Sequence, residues 1–255
     1  MFKEYFVLLL LVHVLGDYYF QTSFMARKKD KSVKWVFIHF ICFWLTTVII
    51  MVPLLFWKVL FIGTIYAAIH GVIDLLKYYY IKNQKGLSII KDRNLFLLDQ
   101  MIHMISLVVI SYILTVNYPP IYVDYYHISI NLKIQDFFHI IGIPVMTFVS
   151  WVTALLLITK PANITISKLL AAYRPDNKDE ESKKDKNAGR FIGTMERILI
   201  LIFISIGQYS AIGLVLTAKS IARYDRISKE RDFAEYYLLG TLISTAFVIV
   251  AGFLI

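Results

Sequence analysis

Seven apolar runs, separated by short polar segments, make up most of the chain. They lie near residues 3–21, 34–56, 58–80, 94–116, 137–159, 192–216 and 233–255. Each run is close to the ~20 residues that a helix needs to cross ~30 Å of hydrocarbon. Backbone groups must be paired within lipid, and the alternating pattern of barrel strands is absent, so the runs predict helices. The predicted fold class is all-α: a polytopic transmembrane helical bundle of about seven spans, with a range of six to eight.

The basic residues, which give the chain a formal net charge of +9, fall mostly in short loops between the runs. The loops 26–34 and 77–93 each carry five lysine or arginine residues against one acid. The positive-inside rule puts both loops in the cytoplasm and the N-terminus outside. The first run lacks a small-residue cleavage site and is expected to be a retained span. The segment 117–136 is then an external loop, and no nucleic-acid partner is predicted.

A charged segment divides the chain into three predicted parts. Residues 1–159 form a five-helix transmembrane bundle, 160–190 a cytoplasmic linker, and 191–255 a two-helix membrane region. Within the linker, 175–187 is almost wholly charged or polar, which predicts a flexible segment. The preceding stretch, 164–173, predicts a short amphipathic helix on the membrane surface.

The run 192–216 leaves the topology of the C-terminal part open. A single crossing would place the basic residues of 219–231 outside, against the positive-inside rule. Alternatively, Gly207–Gln208 or Gly213 breaks the run, so that it re-enters and returns to the same side.

Seven ionisable side chains interrupt the first four apolar runs. They are His13, Asp17, His39, His70, Asp74, Asp99 and His103. Six of them form three pairs spaced by four residues, which is about one helical turn and puts both members of a pair on one face. Ionisable groups in hydrocarbon cost at least ~2.5–3.5 kcal/mol each, so their presence points to a function.

The order of residues within the pairs follows the predicted direction of each helix. The first and third helices run inward and carry His before Asp, whereas the fourth runs outward and carries Asp before His. This order places the three paired carboxylates about 8 Å, and the three paired imidazoles about 14 Å, below the inner surface. Helices of alternating direction pack as bundles that build metal sites from such side chains. All seven residues are therefore predicted metal ligands.

The chemistry of the donor atoms limits the metal. Imidazole nitrogen with carboxylate oxygen suits a divalent transition metal such as zinc, manganese or iron. Seven candidates exceed the four ligands of one zinc ion. Either two ions are bound, or some of the seven orient the ligands, together with Gln21 and Gln100. Structural pairing between helices and an ion or proton path are the competing interpretations.

Several cations are predicted at the edge of this site. Lys77 follows Asp74 by three residues and lies on nearly the same helix face. The others, in adjoining loops, are Arg27, Lys34, Lys91 and Arg93. They suit an anionic lipid headgroup or a phosphate-bearing substrate, although loop charge that sets topology explains most of them equally well.

The C-terminal part carries a second polar cluster. Its members include Arg190, Glu196, Arg197, Gln208, Lys219, Arg223 and Glu235. Structural pairing and interfacial anchoring are the favoured roles. Glu196 and Gln208 remain candidates for a second polar site or a headgroup contact.

Several of these segments resemble a family of bacterial inner-membrane proteins known only as a domain of unknown function. The matching blocks are HVLGDYYFQT (13–22), MARKKDKS (25–32), His39, HGVIDLLK (70–77), LFLLDQMIH (95–103) and the C-terminal GRFIGTMER (189–197). The resemblance implies a multi-pass protein of the bacterial cytoplasmic membrane and brings no established reaction with it. The order of polar helices is more loosely similar to membrane-bound metal-dependent hydrolases, which implies a hydrolase by analogy alone.

Three functional hypotheses follow. The first is a metal-dependent hydrolase of a membrane-associated phosphate ester or lipid headgroup, with Asp17 or Asp99 as general base and Lys77 at the substrate. The second is a transporter of protons or divalent metal, which is disfavoured because nothing ionisable continues outward through the first four spans. The third is a sensor or scaffold with a structural metal, whose linker recruits a cytoplasmic partner.

Overall fold

The computed structural model describes residues 2–54, 57–84, 86, 88–117, 136–175 and 182–255. Within these ranges the regular structure is helical throughout, with no strand. Of the helices in the described ranges, five are long and apolar enough to cross a membrane, and a bent helix pair at the N-terminus makes up to six. The predicted fold class, an all-α bundle of membrane spans, is therefore confirmed.

Two compact units divide the chain, Met1–Thr153 and Ala154–Ile255. In chain order, the helices that begin in the first unit are α1 (Phe2–Val14), a π-helical turn (Leu15–Phe20), α2 (Ser23–Lys29), α3 (Val33–Leu54), α4 (Trp57–Lys82), α5 (Ile89–Asn117), a short α6 (136–140) and α7 (Val145–Ile158). The boundary between the units falls within α7.

Four helices of the first unit close into a ring. α1 packs on α3, α3 on α4, α4 on α5, and α5 packs back on α1. Large apolar side chains such as Ile49, Phe61 and Ile105 are exposed on these helices, which fits a lipid surround. Histidines and aspartates of the same helices, such as His39, Asp74 and Asp99, are buried instead.

The chain turns sharply between the π-helical turn and α2. The two helical segments Phe2–Phe20 and Ser23–Lys29 are bent by 95° to each other. Gln21 is extended at this point, and the Thr22 hydroxyl caps α2 by accepting a hydrogen bond from the Met25 N–H at 3.1 Å. As a result α2, which carries Arg27, leaves the direction of the span directly after the site-bearing turn.

The second unit contains the remaining helices. They are α8 (Lys160–Leu169), a 3₁₀ turn (Ala171–Tyr173), α9 (Ser182–Ser205), α10 (Tyr209–Ile221), α11 (Tyr224–Lys229) and α12 (Arg231–Gly252). α12 packs against α8, α9 and α11, and α9 also packs against α10.

The run 192–216 is not a single helix. α9 ends at Ser205, Gly207 has a φ of +70°, and α10 begins at Tyr209 and continues through Gly213. A positive φ is a conformation that glycine adopts without strain, so the interruption falls where Gly207 permits it. The return of the segment to the same membrane side stays a prediction.

Other predicted segments are covered only in part. The predicted surface helix over 164–173 corresponds to α8 and the 3₁₀ turn after it. Residues 182–187 of the predicted linker are helical, at the start of α9, whereas 176–181 lie outside the described residues. Most of the predicted external loop, 118–135, also lies outside them. The three-part division of the chain stays a prediction.

Candidate metal centre

The three His–Asp pairs lie side by side on their helices, as the four-residue spacing requires. The distances are 3.9 Å from His13 Nδ1 to Asp17 Oδ2, 3.6 Å from His70 Nδ1 to Asp74 Oδ2, and 3.6 Å from His103 Nε2 to Asp99 Oδ1. The pairs come from the N-terminal helix with its π turn, from α4 and from α5.

Contacts between helices join the first two of these pairs through His39 of α3. His39 Nε2 lies 3.0 Å from Asp17 Oδ1 and 3.3 Å from Asp74 Oδ2. The same Asp17 oxygen is 3.1 Å from His70 Nε2. Asp17 Oδ1 therefore lies between the imidazoles of two further helices. His39, for which the sequence predicted no paired residue, lies between the carboxylates of Asp17 and Asp74.

The imidazole rings converge at the centre of the four-helix ring. His70 stacks on His103 with ring centroids 4.0 Å apart, and on its other side Phe43 stacks at 3.7 Å. His13 lies 5.4 Å from His103. The four imidazole-bearing residues are at most 2% exposed and the three carboxylate-bearing residues at most 9%, so the whole set is buried.

In the described ranges, three overlapping groups of side chains have a spacing that could hold a metal ion. The groups are His13–Asp17–His70, His39–His70–Asp74 and Asp74–Asp99–His103, and within each the potential ligand atoms lie within 4.8 Å of one another. The first and third groups share no residue. The structure thus brings all seven predicted ligands together, and their roles at a metal stay predictions.

Some of the donor atoms in this cluster have no hydrogen-bond partner among the described residues. They include both ring nitrogens of His103, Oδ2 of Asp74 and Oδ1 of Asp99. Buried polar atoms are normally paired, because leaving one unpaired costs about 1–3 kcal/mol. A cation between these atoms would satisfy the two carboxylate oxygens and one ring nitrogen of His103, so the donor set fits a divalent metal.

Two lysines neutralise part of the negative charge. Lys29 Nζ lies 2.8 Å from Asp74 Oδ1, and Lys77 Nζ lies 2.8 Å from Asp99 Oδ2. The sequence predicts Lys77 at the edge of the site, but it places Lys29 in the basic loop 26–34, whose charges set the topology. The structure instead buries Lys29 to 6% exposure. The sequence carries no signal for this burial, because Lys29 lies among the basic residues of the loop 26–34, where lysines normally remain in water.

A hydrogen-bonded glutamine links two of the helices beside the site. Gln100 Oε1 accepts a hydrogen bond from the Tyr18 hydroxyl at 2.7 Å and lies 3.3 Å from His13 Nε2. Its amide nitrogen donates to Asp99 Oδ2 at 3.4 Å. Gln100 therefore lies beside His13 and Asp99, and its orienting role stays a prediction, whereas Gln21 donates to the Asp17 backbone carbonyl. Tyr18 was missed, because an aromatic residue in an apolar run carries no distinguishing signal.

A close packing contact explains the glycine that precedes Asp17. A Cβ added at Gly16 would lie 2.5 Å from Cδ2 of Phe43, the ring that stacks on His70. The Gly16 carbonyl accepts the hydrogen bond of the π turn from the Gln21 N–H at 3.2 Å. Such turns are frequent at functional sites because they re-aim side chains.

The loop cations predicted at the edge of the site do not all reach it. Arg27, Lys34 and Lys91 are exposed, and Arg93 donates to its neighbour Asn94 at 3.2 Å. Of the five cations singled out there, the structure pairs Lys77 with a site carboxylate.

The C-terminal polar cluster forms its own network within the second unit. Arg197, which is 2% exposed, donates to the Ile158 carbonyl and to Asn163 Oδ1, both at 2.6 Å. Glu196 pairs with Lys219 at 2.6 Å. Arg190 and Gln208 are exposed, while Arg223 is half-buried and Glu235 pairs with Arg231 at 3.0 Å on the surface. These contacts support structural pairing for Glu196 and Arg197.

A known protein family matches the part of the chain that carries the buried cluster. Residues 5–131 match the model of a family described as "Protein of unknown function (DUF3307)". This range contains all seven residues of the buried cluster as well as Lys29, Lys77 and Gln100. The comparisons with curated proteins and with solved structures gave no match.

Proposed function

We propose that the buried cluster binds one or two divalent transition metal ions, and that the protein is a metal-dependent hydrolase of a membrane-associated phosphate ester or lipid headgroup. The observation that carries the proposal is the pair of ligand groups without a shared residue, His13–Asp17–His70 and Asp74–Asp99–His103. Three protein ligands with a remaining open position are the usual arrangement of a catalytic zinc ion.

Each group offers both imidazole nitrogen and carboxylate oxygen, the donors that zinc, manganese and iron accept. His39 lies between the two groups, close to Asp17 and Asp74, and suits either a further ligand or an orienting role. Two ions held ~3.5–4 Å apart are the arrangement used by many phosphatases and nucleases.

The metal would supply a coordinated water with a pKa lowered to about 7, and it would polarise the scissile group. When one ion is bound, at one of the two groups, the carboxylate of the other group would take the proton from the attacking water, with Asp17 or Asp99 in that role. The water oxygen forms a bond to phosphorus, the ester P–O bond breaks, and the leaving oxygen receives the proton. Lys77, paired with Asp99, would stand beside the anionic group of the substrate.

The proposed setting is the bacterial cytoplasmic membrane, with the N-terminus outside and the site toward the cytoplasmic face. The basic loops 26–34 and 77–93 support this orientation, because positively charged loops remain in the cytoplasm. Both loops adjoin the helices that carry Asp17, Asp74 and Asp99. Substrate would then come from the bilayer or its inner surface.

A hydrolysis assay tests the reaction. Purified protein in lipid nanodiscs is incubated with phosphatidate, with a polyprenyl phosphate and with a soluble phosphate ester, in the presence of zinc or manganese, and free phosphate is measured. We expect release by the wild type and a loss of at least about 10²-fold in the His103→Ala variant, since a ligand is removed. His139→Ala, at an exposed histidine outside the cluster, is the matched control.

Two results would contradict this function. One is undiminished phosphate release by Asp74→Ala or His103→Ala protein whose metal content is also unchanged. The other is absence of release from all three substrates together with flux of manganese, zinc or protons into proteoliposomes, which would assign transport instead.

A further inference from the structure

Two ammonium groups stand at the same part of the buried cluster. Lys29 of α2 and Lys77 of α4 each hold one oxygen of a carboxylate, on Asp74 and Asp99, at 2.8 Å. Those two carboxylates belong to one ligand group, which His103 completes. The other oxygens, Asp74 Oδ2 and Asp99 Oδ1, have no hydrogen-bond partner among the described residues. Each carboxylate can therefore offer one oxygen to a cation while keeping its lysine on the other.

Within the part of the chain that the structure describes, the two ammonium groups have hydrogen-bonding capacity that no acceptor uses. A lysine ammonium carries three N–H donors, and the structure gives each of these lysines one carboxylate oxygen. The Lys29 side chain is 8% exposed and that of Lys77 is 18% exposed. The ammonium group of Lys29 is therefore almost inaccessible to bulk water. The remaining N–H groups of Lys29 and Lys77 are suited to donate to an anion that enters the site.

The charge of the cluster changes sign when metal binds. Three carboxylates, on Asp17, Asp74 and Asp99, face two ammonium groups, which leaves one net negative charge with neutral imidazoles. One divalent ion would convert this to one positive charge, and two ions to three. Uncompensated charge in a buried site is costly, so the loaded site requires an anion.

We propose that Lys29 and Lys77 form an anion-binding subsite that holds the phosphate group of the substrate beside the Asp74–Asp99–His103 metal position. This inference rests on the proposed metal centre and narrows its substrates to phosphate esters. Lysine binds phosphate as a point charge with several donors. Lys29 and Lys77 pair with two members of the same ligand group, Asp74 and Asp99. One phosphate coordinated by a metal ion in that group could therefore accept hydrogen bonds from both lysines.

Phosphate binding by the metal-loaded protein tests the subsite without any turnover. Zinc-loaded protein, freed of excess metal, is titrated with inorganic phosphate by calorimetry. A second arm measures binding of phosphatidate in phosphatidylcholine nanodiscs, so that a lipid source is distinguished from free phosphate. The variants are Lys29→Met and Lys77→Met, which remove the charge and keep most of the apolar stem. Lys28→Met on α2 and Lys82→Met on α4, both at exposed lysines, are matched controls.

We expect the wild type and both controls to bind phosphate in at least one arm, and each site variant to bind at least about tenfold more weakly, because a hydrogen bond between charged groups is lost. Zinc content should stay unchanged in all five proteins. Lys77→Met, at the more exposed position, keeps the test decisive if Lys29→Met does not fold.

Different failures are distinguishable. Metal-loaded protein that binds phosphate equally well without the lysines, or binds none in either arm, overturns the subsite and leaves the metal centre standing. Loss of zinc from the lysine variants also overturns it, because the lysines would then serve to orient the carboxylates. A wild type that takes up no zinc overturns the metal centre and the subsite together.

Discussion

The two carboxylate oxygens of Asp74, and likewise those of Asp99, lie in different surroundings. One oxygen holds a lysine at 2.8 Å, and the other faces the imidazoles with no hydrogen bond among the described residues. A charge-assisted hydrogen bond is stronger than a neutral one, so each lysine occupies one carboxylate oxygen and leaves the other to a cation. The remaining oxygens lie beside the histidines, with Asp74 Oδ2 3.3 Å from His39 Nε2 and Asp99 Oδ1 3.6 Å from His103 Nε2.

The close contact between Gly16 and Phe43 predicts that Gly16→Ala lowers both stability and metal content. Gly16→Ala would force Phe43 away, and Phe43 is confined by His70 at 3.7 Å and Tyr66 at 5.7 Å between ring centroids. We expect a loss of about 1–3 kcal/mol in unfolding free energy, the range for overpacking a core, and a reduced metal content. Thermal unfolding in detergent and metal analysis measure the two effects.

The matched control is Gly213→Ala in α10, where an added Cβ meets nothing within 4 Å. Alanine should be neutral there or stabilise the helix by up to ~1 kcal/mol. Equal stability and metal content for Gly16→Ala and wild type would show that Phe43 does not hold His70 in place.

Sequence reasoning reached the ligand candidates and, among their neighbours, Lys77 and Gln100, but not the others. His13, His39, His70 and the carboxylates are recognisable because charged and imidazole groups are rare in apolar runs. Tyr18 and Phe43 carry no such signal, since aromatic residues are common in membrane spans. Lys29 lies in a basic loop, where lysines normally remain in water.

At the scale of the helices, the π turn decides where Asp17 points. The spacing of four residues from His13 predicts one shared face for an ordinary α-helix, but Leu15–Phe20 is wound as a π-helix. The two side chains are 3.9 Å apart, and Asp17 instead makes its shortest site contact, 3.0 Å, with His39. Local winding of this kind depends on packing around Gly16 and cannot be derived from periodicity.

The bend before α2 predicts a sharp change in accessibility. We expect a cysteine at Lys28, on the exposed side of α2, to react with a water-soluble maleimide, and one at buried Leu8 of α1 to remain unreactive. The background variant is Cys42→Ser, since Cys42 is the sole native cysteine.

The same labelling reports the side of the membrane. With the N-terminus outside, the cysteine at position 28 should react in inside-out vesicles and be protected in intact spheroplasts. The opposite pattern would reverse the orientation drawn from the basic loops.

For the whole molecule, the candidate ligands all lie in the first unit, within Met1–Thr153. The second unit has its own polar network, centred on Arg197 and on the Glu196–Lys219 pair. The apolar runs predicted both the fold class and the number of spans closely. The interruption of the run 192–216 was predicted as one of two alternatives, at Gly207–Gln208 or at Gly213, and the structure places it at Gly207.

This division predicts that stability and metal binding are separable. Arg197→Met would leave the Ile158 carbonyl and Asn163 Oδ1 without their donor, so unfolding free energy should fall by at least about 2 kcal/mol. The metal content of the folded protein should be unchanged, since no candidate ligand is touched. Thermal unfolding and metal analysis of one preparation give both values, and a parallel loss of metal would show that the second unit supports the site.

The most direct test of the metal centre is the metal content of the purified protein, measured by mass spectrometry. The wild type is compared with a His70→Ala/Asp74→Ala variant, which alters all three ligand groups, and with the His139→Ala control. We predict one or two equivalents of a divalent transition metal in the wild type and the control, and a loss in the double variant. A folded wild type that contains no metal, and binds none when zinc or manganese is supplied, would contradict the metal centre.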